Sequence, residues 1–99
     1  EDVLEHVKRL QSHAGVEGVL MARADGSIVY TTLKEEEAIR YATFARNVVD
    51  ATSSELKDLH PNNASGDLAL MRIRTVKHEL MVAREREFLL VAVQAVPAR

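Results

Sequence analysis

Leu68-Ala69-Leu70-Met71-Arg72-Ile73-Arg74, then His78-Glu79-Leu80-Met81-Val82-Ala83, then Glu87-Phe88-Leu89-Leu90-Val91-Ala92-Val93-Gln94 are three apolar runs in the last third of the chain. Each is six to eight residues long, too short for a typical helix. The clusters Thr75-Val76-Lys77 and Arg84-Glu85-Arg86 separate them, so the stretch predicts an antiparallel meander of three strands. A sheet with one wet face alternates apolar and polar residues, and the run Phe88-Leu89-Leu90-Val91-Ala92-Val93 does not alternate at all. Both faces of the sheet are therefore expected to be covered.

Upstream, Val3, Leu4, Val7, Leu10 and Ala14 recur at helical spacing with Glu5, Lys8, Arg9 and Gln11 between them, which predicts an amphipathic helix over residues 2–13 ended by Gly15. Residues 16–23 and 26–31 flank Asp25-Gly26, a pair that tolerates positive φ, and read as a hairpin. Thr32-Leu33-Lys34-Glu35 has the form of a capping box, and Glu35-Glu36-Glu37 suits the positive end of a helix over residues 34–59. His60-Pro61-Asn62-Asn63-Ala64-Ser65-Gly66 stops that helix, because Pro61 disfavours helical geometry at His60. The order α-β-β-α-β-β-β predicts one α+β domain over residues 1–99, a five-stranded antiparallel sheet between helices.

The long helix carries more apolar surface than one sheet contact needs. Its main stripe is Ala38, Tyr41, Ala42, Ala45, Val48, Val49, Thr52, Leu56 and Leu59, with Ile39, Phe44 and Ala51 off that stripe. About 25 residues make a helix of ~38 Å, whereas strands of six to eight residues span ~20–27 Å. Part of the helix is thus expected to lean on something other than its own sheet. Ala42 and Ala45 permit close approach of a second helix, although alanine is also simply a good helix former.

With 46% apolar and 28% charged residues, the 99-residue chain is an ordinary globular sequence. Aromatic residues make up only 4% and Trp is absent, so the core rests on aliphatic side chains and help from a second subunit is plausible. There is no cysteine, hence no disulfide or thiolate site, and no apolar run approaches the length of a membrane span. A net charge of −2 gives no general pull toward nucleic acid or anionic lipid. His6, His13, His60 and His78 show no metal-ligand spacing, the four glycines are too scattered for a phosphate loop, and no nucleophile has an assignable base. Arg72 and Arg74, two apart on one strand, either discourage wrong edge pairing or meet a partner's acids. The residues describe an interaction domain without cofactor, metal or catalytic site.

Three segments carry a family resemblance. Val7-Lys8-Arg9-Leu10-Gln11-Ser12-His13-Ala14-Gly15-Val16-Glu17-Gly18-Val19, residues 70–83 and residues 88–94 resemble the roadblock family of dynein light chains, with Tyr41-Ala42 and Asp58-Leu59-His60-Pro61 in register between them. Ala64-Ser65-Gly66 departs from the pattern by lengthening the loop before the third strand. The resemblance implies a homodimer, or a heterodimer with a paralogue. The long helices would meet through Ala42, Ala45, Val48, Val49 and Thr52, and the third strands would pair through Leu70, Arg72 and Arg74. It further implies docking onto a dynein intermediate chain, with Arg72 and Arg74 as partner contacts, in the cytoplasm and cytoskeleton, including the axoneme of a cilium or flagellum. The second reading is a scaffold or regulator of a small GTPase, since roadblock-type folds also serve such partners. An unrecognised hydrolase stands third.

Overall fold

The computed structural model describes residues 2–59 and 68–96. Helix α1 (Val3–Gln11) leads into strands β1 (Val16–Arg23) and β2 (Ile28–Thr31), helix α2 (Glu35–Leu59), and strands β3 (Leu70–Arg74), β4 (His78–Glu85) and β5 (Phe88–Ala95). The five strands form one antiparallel sheet in the order β2-β1-β5-β4-β3. α2 covers one face and α1 the other, as the alternation of predicted elements implied. The loop expected over residues 60–66, including Ala64-Ser65-Gly66, lies outside the described residues.

The unalternating run of β5 is explained by its place in the middle of the sheet. Leu89, Val91 and Val93 pack toward α2 with Leu20, Ala22, Ala38, Ala42, Ala45, Val49, Leu80 and Val82. Leu90 and Ala92 pack toward α1 with Val3, Val7, Val19 and Met21. Full burial of side chains such as Leu20, Leu90, Val7 and Val19 is worth roughly 1.5–3 kcal/mol each relative to exposure. The expectation that both faces are covered holds at this centre but not at the edge: β3 alternates exposed and half-buried residues along its length.

Several boundaries differ from the sequence reading, each for a local reason. α1 stops at Gln11 because the Ser12 hydroxyl donates to the Arg9 carbonyl (2.7 Å), and Gly15 turns the chain at φ 87°. β2 begins at Ile28 rather than Gly26, since Asp25 Oδ1 accepts from both the amide and the hydroxyl of Ser27 (2.9 and 2.7 Å) and holds those residues in the turn. The two Ser27 donors also lower the Asp25 pKa, the backbone bond most strongly. The capping box does not form. Thr32 Oγ1 accepts from the Val19 amide (3.0 Å), tying the chain to β1, and the helix starts at Glu35 with the Lys34 carbonyl accepting from Ala38 (2.8 Å). β4 continues two residues past Ala83, because Glu85 pairs with Phe88 across a two-residue turn that puts Arg86 at φ 57°. β3 begins at Leu70 rather than Leu68.

Gly18 matters for close approach. A Cβ there would collide with the Leu33 side chain, which folds over β1 after β2. On the other face, α1 is fixed by the Tyr30 hydroxyl donating to Gln11 Oε1 (2.6 Å) and by Lys8 lying 5.8 Å from the Tyr30 ring centroid.

Candidate interaction surface

The residues singled out on α2 fall into two groups. Ala42, Ala45 and Val49 are 4%, 1% and 3% exposed and pack on the chain's own sheet, so the fold of a single chain already uses them. Val48 and Thr52 are half-buried on the flank of the helix. Tyr41, half-buried, and Phe44, 39% exposed, extend that flank at the same three- and four-residue spacing. The sequence reading had Tyr41 in the main stripe and Phe44 off it. Their shared flank became visible only when the sheet fixed which side of α2 faces inward.

The flank overlooks the part of the sheet that α2 does not cover. α2 packs against β5, β1 and β2, which leaves a largely apolar groove lined by Tyr41 and Phe44 from the helix and Leu80, His78 and Thr75 from the sheet, with Glu37 and Arg40 at its rim. Met71 and Ile73, half-buried, continue the apolar sheet surface toward the edge. His78 Nε2 lies 3.2 Å from Glu17 Oε1, an ion pair when the imidazole is protonated. At the edge itself, β3 pairs only with β4 among the described residues, so one side of its backbone has no described strand beside it. The three remaining candidates sit on this strand. Leu70 is 49% exposed, and Arg72 and Arg74 are exposed on the sheet face opposite α2. The structure thus places Val48 and Thr52 on one face, Leu70, Arg72 and Arg74 on the other, and the open edge between them.

Among the described histidines, His6 and His78 each meet one carboxylate. His6 Nδ1 is 2.9 Å from Glu85 Oε2, which links α1 to the end of β4, and His13 is exposed. Among the described residues no three His, Asp or Glu side chains converge as a metal site requires. No described helix is long and apolar enough to cross a membrane.

A family model for the Roadblock/LC7 domain matches residues 2–95. The chain belongs to the Roadblock/LC7 family. Solved structures with the same fold include a Roadblock/LC7 domain from Streptomyces avermitilis, at 15% identity and a TM-score of 0.75 over 96% of this chain and 79% of that one. The gliding protein MglB from Thermus thermophilus is similar at 17% identity and a TM-score of 0.75, over 93% and 70%. An MglB with a tetrameric arrangement is similar at 17% identity and a TM-score of 0.74, over 93% and 69%.

These findings overturn the dynein assignment. The Streptomyces avermitilis and Thermus thermophilus structures are bacterial roadblock proteins, not dynein subunits, so the dynein light-chain assignment, its intermediate-chain partner and the link to cilium and axoneme are withdrawn. The physical reason lies in what the matching residues do. Gly15 adopts positive φ, Gly18 admits Leu33, Val7 packs α1 on the sheet and residues 88–94 fill its centre. All are demands of the fold within a single chain, and a fold does not by itself name a partner.

Proposed function

We propose that this roadblock domain is a non-catalytic, two-fold platform that binds and regulates a small GTPase. The observation that carries the reading is the unfinished side of the chain: the apolar flank of Tyr41, Phe44 and Val48 stands beside a sheet edge on which no other described strand lies. A second copy fits both features at once. In an isologous contact the flank of α2 meets its own equivalent while β3 pairs with β3, closing an edge that otherwise invites uncontrolled pairing. Leu70, Arg72 and Arg74 then lie along the seam, with Val48 and Thr52 near the axis. The MglB with a tetrameric arrangement supports assembly from several copies. Membership of the family, together with likeness to bacterial rather than dynein-associated structures, favours the GTPase over a motor.

A platform without its own chemistry regulates by differential affinity. Binding the GTP and GDP forms equally would shift nothing, so the chain must prefer one of them. Calorimetric titration with a small Ras-like GTPase from the same genome, loaded with GDP or with a GTP analogue, tests this. The proposal requires binding to at least one form with a clear difference between the two. A dimeric chain that binds neither form, or both alike, refutes it.

A further inference from the structure

Helix α1 and the turn from β4 to β5 form the walls of a cleft of about 360 Å³. Asp2, His6 and Arg9 line it from the helix side, at spacings of four and three residues that place them on one flank. Arg84, Glu85 and Arg86 line it from the end of β4 and the turn. Val3, itself 6% exposed, is the one apolar residue of the lining. Both acids are engaged. Asp2 Oδ1 accepts from the Leu4 amide (3.0 Å) and so caps α1, and Glu85 Oε2 lies 2.9 Å from His6 Nδ1. Among the described residues no carboxylate forms an ion pair with Arg84 or Arg86. Arg86 stands at φ 57°, in the left-handed region that Gly or Asn fills with less strain in a two-residue turn. A guanidinium thus stands at the cleft at a cost to the backbone, the kind of cost that recurs at ligand sites.

We propose that this cleft binds a small phosphomonoester, its phosphate held chiefly by Arg86, with Arg9 and Arg84 adding positive charge. Three arginines against two engaged acids make the lining basic on a chain of net charge −2. A guanidinium meets a phosphate through two parallel N–H donors, a fit that a point charge does not reproduce. The volume lies near the lower end of ligand cavities, which leaves room for a small body beyond the phosphate. With Val3 as the one apolar wall, there is no surface for a nucleobase or an acyl chain. A short polar ester is the ligand that remains. The cleft belongs to the α1 side of the sheet, opposite the flank of α2, and does not depend on the GTPase reading.

The probes are glycerol phosphate, inorganic phosphate and acetate, titrated into the intact chain at constant ionic strength and followed by backbone NMR. Glycerol phosphate is expected to shift the amides of Val3, His6 and Arg86 and to saturate at millimolar concentration, with inorganic phosphate weaker and acetate at least tenfold weaker. Arg86→Gly removes the guanidinium and suits the turn, so it should bind glycerol phosphate at least fivefold more weakly while its Tm stays level or rises. Arg86→Lys keeps the charge, loses the fork, and should fall between. No saturable shift with glycerol phosphate overturns the proposal. So do shifts confined to α2, acetate binding as tightly as the ester, inorganic phosphate binding more tightly than it, or full affinity in Arg86→Gly.

Discussion

Val48 and Val49 are neighbours in sequence with opposite surroundings, and that contrast makes a sharp test. Val49 is 3% exposed in the core under α2, whereas Val48 is half-buried on the flank. Val48→Asp leaves a single chain able to turn the carboxylate to water, so its folding stability should fall by only about 1 kcal/mol. In the two-fold assembly the same change acts twice. Two carboxylates ~6 Å apart across the axis repel by about 3 kcal/mol at an effective dielectric constant near ~20, and partial loss of two Val contacts removes about 2–3 kcal/mol more. The sum, about 5–6 kcal/mol, raises a micromolar dissociation constant by roughly 10⁴. Val49→Ala does the reverse. It should cost each chain about 2 kcal/mol of folding stability, lower Tm by roughly 8–16 °C and leave association nearly unchanged below the melt. Sedimentation equilibrium beside thermal melts followed by circular dichroism separates the two effects. Val48→Asp remaining a dimer of unaltered affinity would refute the placement of the seam.

Three further outcomes follow from the same geometry. Gly18→Ala should lower stability by about 1–3 kcal/mol through overpacking against Leu33, and the double variant Gly18→Ala/Leu33→Ala should lose less than the sum of the two single changes in denaturant titrations. The amides on the outer edge of β3 should exchange slowly with deuterium at high protein concentration and faster on dilution, whereas rates independent of concentration would leave that edge unpaired. Asp25 has a lowered pKa in the folded chain through its bonds from Ser27. Its contribution to stability is therefore present above the unfolded carboxylate pKa and lost as pH falls through the lower folded value. Asp25→Asn should flatten that acid limb, and an unshifted Asp25 resonance in an NMR titration would argue against the turn.

The meander was legible because β5 breaks alternation where a central strand must, and α2 because its apolar residues recur at helical spacing over 25 residues. What escaped was decided by tertiary contacts. The Thr32 hydroxyl has two possible uses within reach, capping the helix or accepting from Val19, and only the packing of β2 on β1 selects the second. The two-residue turn at Arg86-Glu87 was hidden because no Gly or Asn marks it. The candidate surface was half legible. Val48 and Thr52 lie in the stripe read from helical spacing and the β3 residues came into the seam only from the family resemblance, yet Ala42, Ala45 and Val49 share the same stripe, and periodicity alone does not distinguish a helix's inward side from its flank. The partner was the least legible part, since much of what marks the family, such as Gly15, Gly18, Val7 and residues 88–94, serves the fold.

The most direct test of the account follows GTP turnover by a small GTPase while the concentration of this chain is varied across its own dissociation constant. A two-fold platform predicts that the change in turnover tracks the concentration of dimer, with the half-maximal effect where sedimentation places half association, and that Val48→Asp has little effect at matched total concentration. Turnover that stays unchanged in the presence of dimer, or that responds equally to the monomeric variant, would contradict it.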